Sequence, residues 1–421
     1  MPPPDESRLS SDELTDRVVA EVMAVAAAAE PAVRRRAFAA ALRAAPSRVR
    51  PMLGRLRRRL RGDGAGSAPR SERMLLAFPY WADNHWQAIM YDDLPGNGWV
   101  VDAAAGLDAA GLRALGAGDV LHVNWTSATS QRADRLEDAA VAVRDAIAAM
   151  VALQQRGGRI VWTVHNVLPH ETRHVAPELA LSRWLAANAD LVTIMNPETV
   201  RLTAGLYPID PRRVVRIAHP SYLGWLPETI PRPAARAAFG LGEDEIVVAF
   251  VGRLRAYKGV DRLVEAFRRI HASDARFRLL LAGEPAEGFG GEEERMLRAA
   301  GPGVTVSLGR VDDADMQRWM LAADLLVLPY GADALNLSLV EVAATFGVPA
   351  AVSAGRGRAH LAERSWVTVL DDDDFADGLR EAALAAHVEP ERGADAREHA
   401  SAVSPAVVAA EFRAALEGME A

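Results

Sequence analysis

Ile246-Val247-Val248-Ala249-Phe250-Val251-Gly252-Arg253-Leu254-Arg255-Ala256-Tyr257-Lys258-Gly259-Val260-Asp261 is the stretch that decides how this chain is read. Six apolar residues run straight into Gly-Arg. A second glycine follows, then a helical pattern in which Leu263, Val264, Phe267 and Ile270 share one face. Asp261 is expected to cap that helix. A buried strand that passes through glycine into an amphipathic helix is one unit of a parallel α/β sheet. The stretch also holds the one lysine, Lys258, among 48 Lys and Arg residues. Lysine is a compact, mobile charge and arginine a rigid planar fork, so a site built for the first does not always accept the second. A leftover surface lysine is the plain alternative.

Outward from this stretch the pattern repeats. Towards the C-terminus, strands are expected at Phe277–Ala282, Val304–Leu308, Leu325–Leu328 and Val348–Val352, with helices at Glu292–Ala300, Ala314–Ala323 and Leu339–Phe346. Towards the N-terminus, strands are expected at Met74–Phe78, Trp99–Asp102, Val120–Trp125, Ile160–Val164, Leu191–Met195 and Val214–Ala218. Helices Leu136–Gln155 and Leu179–Ala187 lie between them. The Pro-, Gly- and Ala-rich run Trp225–Leu241 reads as a connection. The expected organisation is a helical, arginine-rich extension and linker over residues 1–70 and a Rossmann-like domain over 71–230. A second such domain follows over 231–398, then a tail over 399–421 whose helix (Pro405–Leu416) packs back toward the first domain.

The totals narrow the function classes. Of 421 residues half are hydrophobic and a quarter charged, ordinary for a soluble globular protein. Cysteine is absent, which removes disulfides, thiolate metal sites and a thiol nucleophile. No apolar run is long enough to span a bilayer. The Met1-Pro2-Pro3-Pro4-Asp5-Glu6 start is no secretory signal, so the expected location is cytoplasmic. A net charge of −8 argues against nucleic acid as a partner. From Arg34 to Arg61, however, there are eleven arginines and no acid, with Met52, Leu53, Leu56 and Leu60 as a helical stripe. Such an arm can lie on an anionic membrane face, at the periphery of the inner leaflet. It can equally be solvated, or docked on the protein's own acidic surface. Gly62–Pro69 reads as a flexible linker.

Open α/β sheets bind ligands beyond the carboxyl ends of their strands, where helix N-termini favour anions. Gly252 lets backbone approach a ligand there. Arg253 and Lys258 can converge on a phosphate, or stand as two solvated loop cations. After the strand Leu325–Leu328, Asp333 and Glu341 bracket a loop holding Asn336 and Ser338, which can cap the next helix or donate to a ligand. Glu341 can accept both hydroxyls of a ribose, or merely compensate the helix dipole. His170 and His174 stand at i, i+4 without a His-Glu-x-x-His pattern, so no metal is expected. Tyr80, Trp81, Trp86 and Trp125 gather at strand ends of the first domain, where they can stack on sugar faces or belong to the core.

Several runs together resemble the retaining glycosyltransferases of family 4, which have the GT-B fold. They are Val251-Gly252-Arg253-Leu254, then Lys258-Gly259-Val260-Asp261, Leu281-Ala282-Gly283, Leu308-Gly309-Arg310-Val311, Ala323-Asp324-Leu325-Leu326-Val327-Leu328-Pro329, Glu341 and Gly347-Val348-Pro349. Asp119–Trp125 and Thr163–Glu171 look like cleft strands of members that build exopolysaccharide. The resemblance covers about residues 72–395. It implies an α/β GT-B fold, two Rossmann-like doubly wound domains facing a cleft, the first (71–230) for the acceptor and the second (231–398) for the nucleotide-sugar donor. It also implies a hexosyl transfer from a nucleotide-diphosphate-sugar co-substrate to a glycan, lipid-linked or small-molecule acceptor, with no metal or other cofactor. Arg253 and Lys258 would bind the diphosphate, Glu341 the ribose, and Asp333 and His165 would stand at the sugar end. The Gly252 and Asn336–Ser338 backbone would meet sugar or phosphate.

The chain departs from the family pattern at three places. Asp333 replaces the first of the usual two glutamates. Leu335-Asn336-Leu337 stands where Gly-Phe-Gly is usual. Phe78-Pro79-Tyr80-Trp81-Ala82-Asp83-Asn84-His85-Trp86-Gln87 replaces a glycine-rich loop. No second carboxylate is placed as a nucleophile, so front-face attack by the acceptor hydroxyl is the expected course. The rival readings are a sugar-nucleotide epimerase, a phosphorylase and a non-catalytic binder of nucleotide sugar or glycan. His165 can also be a structural histidine.

Overall fold

The computed structural model describes residues 72–419, apart from 82, 170–171, 287–288 and 299. The arginine-rich arm, its linker and His170 lie outside the described residues. Strands β1 (Arg73–Phe78), β2 (Trp99–Ala103), β3 (Val120–Val123), β4 (Arg159–Val164), β5 (Leu191–Ile194) and β6 (Val214–Arg216) form one parallel sheet, in the order β2-β1-β3-β4-β5-β6. Strands β7 (Ile246–Val251), β8 (Phe277–Gly283), β9 (Val304–Leu308), β10 (Leu325–Leu328), β11 (Ala350–Ser353) and β12 (Val367–Leu370) form a second, in the order β12-β11-β10-β7-β8-β9.

The first sheet is accompanied by α1 (His85–Met90), α2 (Ser127–Ser130), α3 (Leu136–Gln155), α4 (Val175–Asn188) and α5 (Thr199–Thr203). The second has α6 (Arg232–Ala237), α7 (Val260–Ser273), α8 (Gly291–Arg298), α9 (Asp313–Ala322), α10 (Ser338–Thr345), α11 (Phe375–Val388) and α12 (Pro390–Ala402). All residues of β7, β10 and β11 are buried, as are those of β3 and β5. Helices covering both faces of a parallel sheet require such unbroken apolar strands.

All eleven expected strands are present. β12 and the helices α11 and α12 are additional, and Trp225–Leu241 contains α6. Asp261 does not cap α7: the capping residue is Gly259, in a left-handed conformation (φ 62°), and Asp261 lies in the first turn. The last helix, α13 (Pro405–Gly418), crosses to the first sheet. Val408, Phe412 and Leu416 pack there with Trp99, Met90 and Tyr91. Among the described residues no helix is long and apolar enough to cross a membrane.

Each sheet reverses its winding once. In the first, β2 and β3 flank β1; in the second, β8 and β10 flank β7. At such a reversal two neighbouring loops diverge at the carboxyl edge and leave a crevice. The loops after β1 and β3 border one crevice, and those after β7 and β10 border the other.

Candidate active site

The second crevice is built by close backbone approach. Gly252 leaves β7 with φ 138°, and a β-carbon there would stand 3.1 Å from Leu339 Cδ1 and 3.3 Å from Lys258 Nζ. A β-carbon on Gly259 would stand 2.2 Å from the carbonyl oxygen of Pro329, at the end of β10. Only glycine permits these two approaches. Between them Ala256–Lys258 make one 3-10 turn, which folds Lys258 back over the end of its own strand.

The Lys258 side chain is buried, with Nζ 5.1 Å from the Tyr330 ring centre. Burial, with the charges of Arg255 and Arg253, pushes its ammonium down to about 8. Among the described residues no carboxylate pairs with it, and none pairs with Arg253, which is exposed. A buried ammonium without a counter-ion is costly unless something negative completes the site. The start of α10 faces the same space through Leu339. No side chain caps that helix, so its first amides remain available to an anion.

Asn336 and Ser338 do not cap α10. Asn336 Nδ2 instead donates to the His165 carbonyl, 2.6 Å away at the end of β4. Ser338 is the exposed first residue of the helix, and Asp333 is exposed on the loop before it. Glu341 lies in the first turn but is buried. Its Oε1 accepts from Arg364 (3.0 Å) and its Oε2 from His399 (2.8 Å). Burial pushes its carboxyl up, but the His399 hydrogen bond and the Arg364 charge outweigh this and hold it below the usual range.

Across the cleft, His165 stacks on Trp125 (4.1 Å, 18°) and meets Trp86 edge-on (4.5 Å, 79°). Burial holds its imidazolium form well below the ordinary histidine range, with His122 and His219 adding to the effect, so the ring is neutral. Its Nε2 is enclosed without a hydrogen-bond partner. The cleft is bridged. Asn196 Nδ2 donates to the carbonyls of Leu335 (2.7 Å) and Gly357 (2.8 Å), and Leu335 joins the first domain's core. His85 meets Asp313 at 2.8 Å and Arg310 meets Asp83 at 3.9 Å.

The structure therefore gathers Gly252, Arg253, Lys258 and the start of α10, and it links Asn336 to His165. It turns the Glu341 carboxylate to Arg364 and His399. Among the described residues no three His, Asp or Glu side chains converge as a metal site.

Residues 231–387 match the family model for glycosyl transferases group 1. That segment is similar to the glycosyl transferases of group 1. It contains the whole β7–α10 crevice. Among similar proteins, a GDP-mannose:glycolipid 4-beta-D-mannosyltransferase of Xanthomonas campestris pv. campestris is 29% identical over 217 residues, 50% of this chain and 55% of that one. A D-inositol 3-phosphate glycosyltransferase of Geodermatophilus obscurus is 32% identical over 52% of this chain and 50% of that one. The chain thus spans about half the length of the curated relatives it matches.

Solved structures match over most of the described chain. Sucrose-phosphate synthase of Thermosynechococcus elongatus aligns with a TM-score of 0.63 at 18% identity, over 83% of this chain and 99% of that one. Anabaena HepE in complex with UDP and glucose aligns at 0.59 and 15% identity, over 82% of this chain and 100% of that one. At such identities the likeness is one of fold, the two-sheet GT-B architecture.

Four positioning groups around the β7–α10 crevice escaped the reading of the sequence. Arg358 is almost wholly buried and donates to the carbonyls of Tyr330 (3.0 Å), Ser353 (2.6 Å) and Gly331, fixing the start of the loop after β10. Arg364, His399 and Asn196 hold Glu341 and Leu335. The Gly355-Arg356-Gly357-Arg358 run was the one local signal, since glycine flanking arginine marks close backbone packing.

Proposed function

We propose that the protein transfers a sugar from a nucleoside-diphosphate sugar to an acceptor hydroxyl with retention of anomeric configuration. One observation carries this reading: Lys258 is a buried ammonium with no counter-ion among the described residues, placed between a glycine strand end and an uncapped helix start. A diphosphate supplies the missing negative charge. In this reading Lys258, Arg253 and the first amides of α10 hold the departing diphosphate, where charge builds as the sugar gains oxocarbenium character. Glu341 meets the ribose. Arg364 and His399 use two of its acceptor positions and leave others for the two hydroxyls. His165, neutral, bonds a donor-sugar hydroxyl through its unpartnered Nε2, while Asp333 and the Asn336–Ser338 segment border the sugar from the second domain.

The acceptor oxygen attacks from the face on which the diphosphate leaves. A bond forms between that oxygen and the anomeric carbon, the bond from that carbon to the diphosphate oxygen breaks, and the acceptor proton passes to the diphosphate. The bridged cleft excludes water from this step. The two-domain division near residue 231, a glycan or lipid-linked acceptor in polysaccharide synthesis, and peripheral contact of the Arg34–Arg61 arm with the inner membrane face belong to the same reading. The mannosyl donor and glycolipid acceptor in the name of the Xanthomonas relative support it.

The test is release of nucleoside diphosphate by the purified full chain from a panel of sugar nucleotides, with the anomeric configuration of product read by NMR. Binding of sugar nucleotides without turnover of any would leave a binding protein instead.

A further inference from the structure

We infer that Asn196, on the loop after β5, is the positioning residue that seats the sugar-side loop of the second domain. The inference deepens the transferase reading. It rests on that reading for the role of Asp333 and the Asn336–Ser338 segment, and on geometry alone for the seat itself.

Asn196 is buried, and its side-chain amide is fully used. Its Oδ1 accepts from the Glu198 amide at 2.9 Å, which fixes the side chain on its own turn. Its Nδ2 then donates twice into the second domain. One bond goes to the carbonyl of Leu335 (2.7 Å), after β10, and one to that of Gly357 (2.8 Å), after β11. A primary amide has two N–H donors, so one side chain ties two loops of the second domain to each other and to the first domain. The fit is close. A β-carbon on Gly357 would stand 3.0 Å from Asn196 Nδ2, 3.2 Å from Leu202 Cδ1 on α5 and 3.5 Å from Leu335 Cδ1.

Further contacts hold the same seam. The Leu335 side chain is buried in the first domain's core. Asn336 Nδ2 donates to the His165 carbonyl (2.6 Å), and Arg201 Nη2 on α5 donates to the Arg356 carbonyl (3.1 Å). Within its own domain the loop is anchored at its two ends. Arg358 holds Tyr330 and Gly331, and Leu337 returns to the second domain's core. Between these anchors the Leu335 carbonyl and the Asn336 side chain both bond across the cleft.

The Leu335-Asn336-Leu337 departure thereby gains a use. The loop carries Asp333, which is exposed, and leads into Ser338 at the uncapped start of α10. Its shape is set by the two domains together, whereas Gly252 and Lys258 are placed by the second domain alone. The diphosphate crevice is complete without Asn196, and the sugar side is not. A misplacement of about 1 Å can cost about 10²-fold in rate.

The test is Asn196→Asp in the purified full chain. The variant keeps the side chain's shape and its bond from the Glu198 amide, but it turns an oxygen towards two carbonyl oxygens, so both cross-cleft bonds are lost. Melting curves check folding, and Asn196→Ser, neutral and shorter, carries the same comparison if the first variant does not fold. UDP or GDP, whichever the parent binds, should keep its affinity within about threefold, while kcat for donor turnover falls about 10²-fold. General loss of structure would not split binding from rate in this way. In hydrogen exchange read by mass spectrometry, the peptide over residues 331–338 should exchange about tenfold faster and that over β7 should not change. Exchange equal to the parent's, parental kcat, or an equal loss of affinity and rate overturns the inference. Because exchange needs no turnover, faster loop exchange in a protein that turns over no sugar nucleotide would sink the transferase reading and leave Asn196 as the seat of the loop. Turnover by the parent, with exchange and rate unchanged in the variant, would do the reverse.

Discussion

The two crevices of this molecule arise from one topological feature and carry opposite chemistry. Beyond β7 and β10 the backbone is drawn in by Gly252 and Gly259, and the space is left to Lys258 and Arg253, which no carboxylate among the described residues pairs with, and to an uncapped helix. Beyond β1 and β3 the space is filled by Trp81, Trp86 and Trp125 around a neutral His165, and the segments Phe78–Gln87 and Asn124–Ser130 contain no Arg or Lys. Winding reversal tells where a ligand can bind, and the loops alone tell what kind. A glycine-lined crevice with bare positive charge suits a diphosphate, whereas an aromatic one beside the unpartnered Nε2 of His165 suits a sugar hydroxyl.

The sharpest way to break this contrast is Lys258→Ala. Nucleoside-diphosphate release should fall about 10²–10³-fold, as for removal of one group that stabilises developing charge. The melting temperature should not fall, because the variant also removes a buried charge whose desolvation nothing offsets. A sharp loss of stability would make Lys258 structural and erase the difference between the crevices.

Trp125→Ala tests the aromatic side. The ring supports both Trp81 and His165, so urea unfolding should show a loss of about 2 kcal/mol, below that of a fully enclosed tryptophan. A near-zero change would mean that the stack is not an organised platform.

Arg364→Met acts beside the cationic crevice, on Glu341. The carboxyl is held below its usual range in the folded state, so its contribution is present above the unfolded value near 4.3 and fades as pH falls through the lower folded value. The variant should therefore be about 1–2 kcal/mol less stable at pH 7, with the difference shrinking below about pH 4. A difference that persists at low pH would locate the role of Arg364 elsewhere.

The smallest effect is on proton uptake. With the ammonium at about 8 when the crevice is empty, binding a nucleoside diphosphate near pH 8 should draw a fraction of a proton into the protein. Calorimetry in buffers of different ionisation enthalpy would measure it, and Lys258→Ala should abolish it. The same shift makes the empty protein gain stability with pH between about 8 and the ordinary lysine value, because there the unfolded chain binds more protons.

Much of the architecture was legible along the chain. β7, β9 and β10 have the bounds their apolar runs suggest, and α3 is the helix that Leu136–Gln155 spells out. β12 was not, because Val367–Leu370 is an edge strand with two half-buried residues before an acidic run, and so lacks the apolar length of its neighbours. Val120–Trp125 reads as one strand, yet the sheet ends at Val123. Asn124 turns its side chain to Tyr91, and Trp125 turns to the aromatic stack. At the site, Gly252, Arg253 and Lys258 were legible because one loop holds them. The partners of Glu341 were not, since Arg364 and His399 lie 23 and 58 residues further along and come close only through folding.

What the sequence by itself determined is what depends on near neighbours. Apolar runs set strands, glycines set the turns, and a lone lysine stands in a glycine-bounded loop after β7. What only the tertiary structure decided is which charges are already spent. Among the described residues Glu341 is paired and Lys258 is not. Asn336 reaches His165 across the cleft, and the tryptophans of two loops form one stack. The physical reason is that pairing and burial depend on distances between residues remote in the chain, and a local pattern contains no such distance.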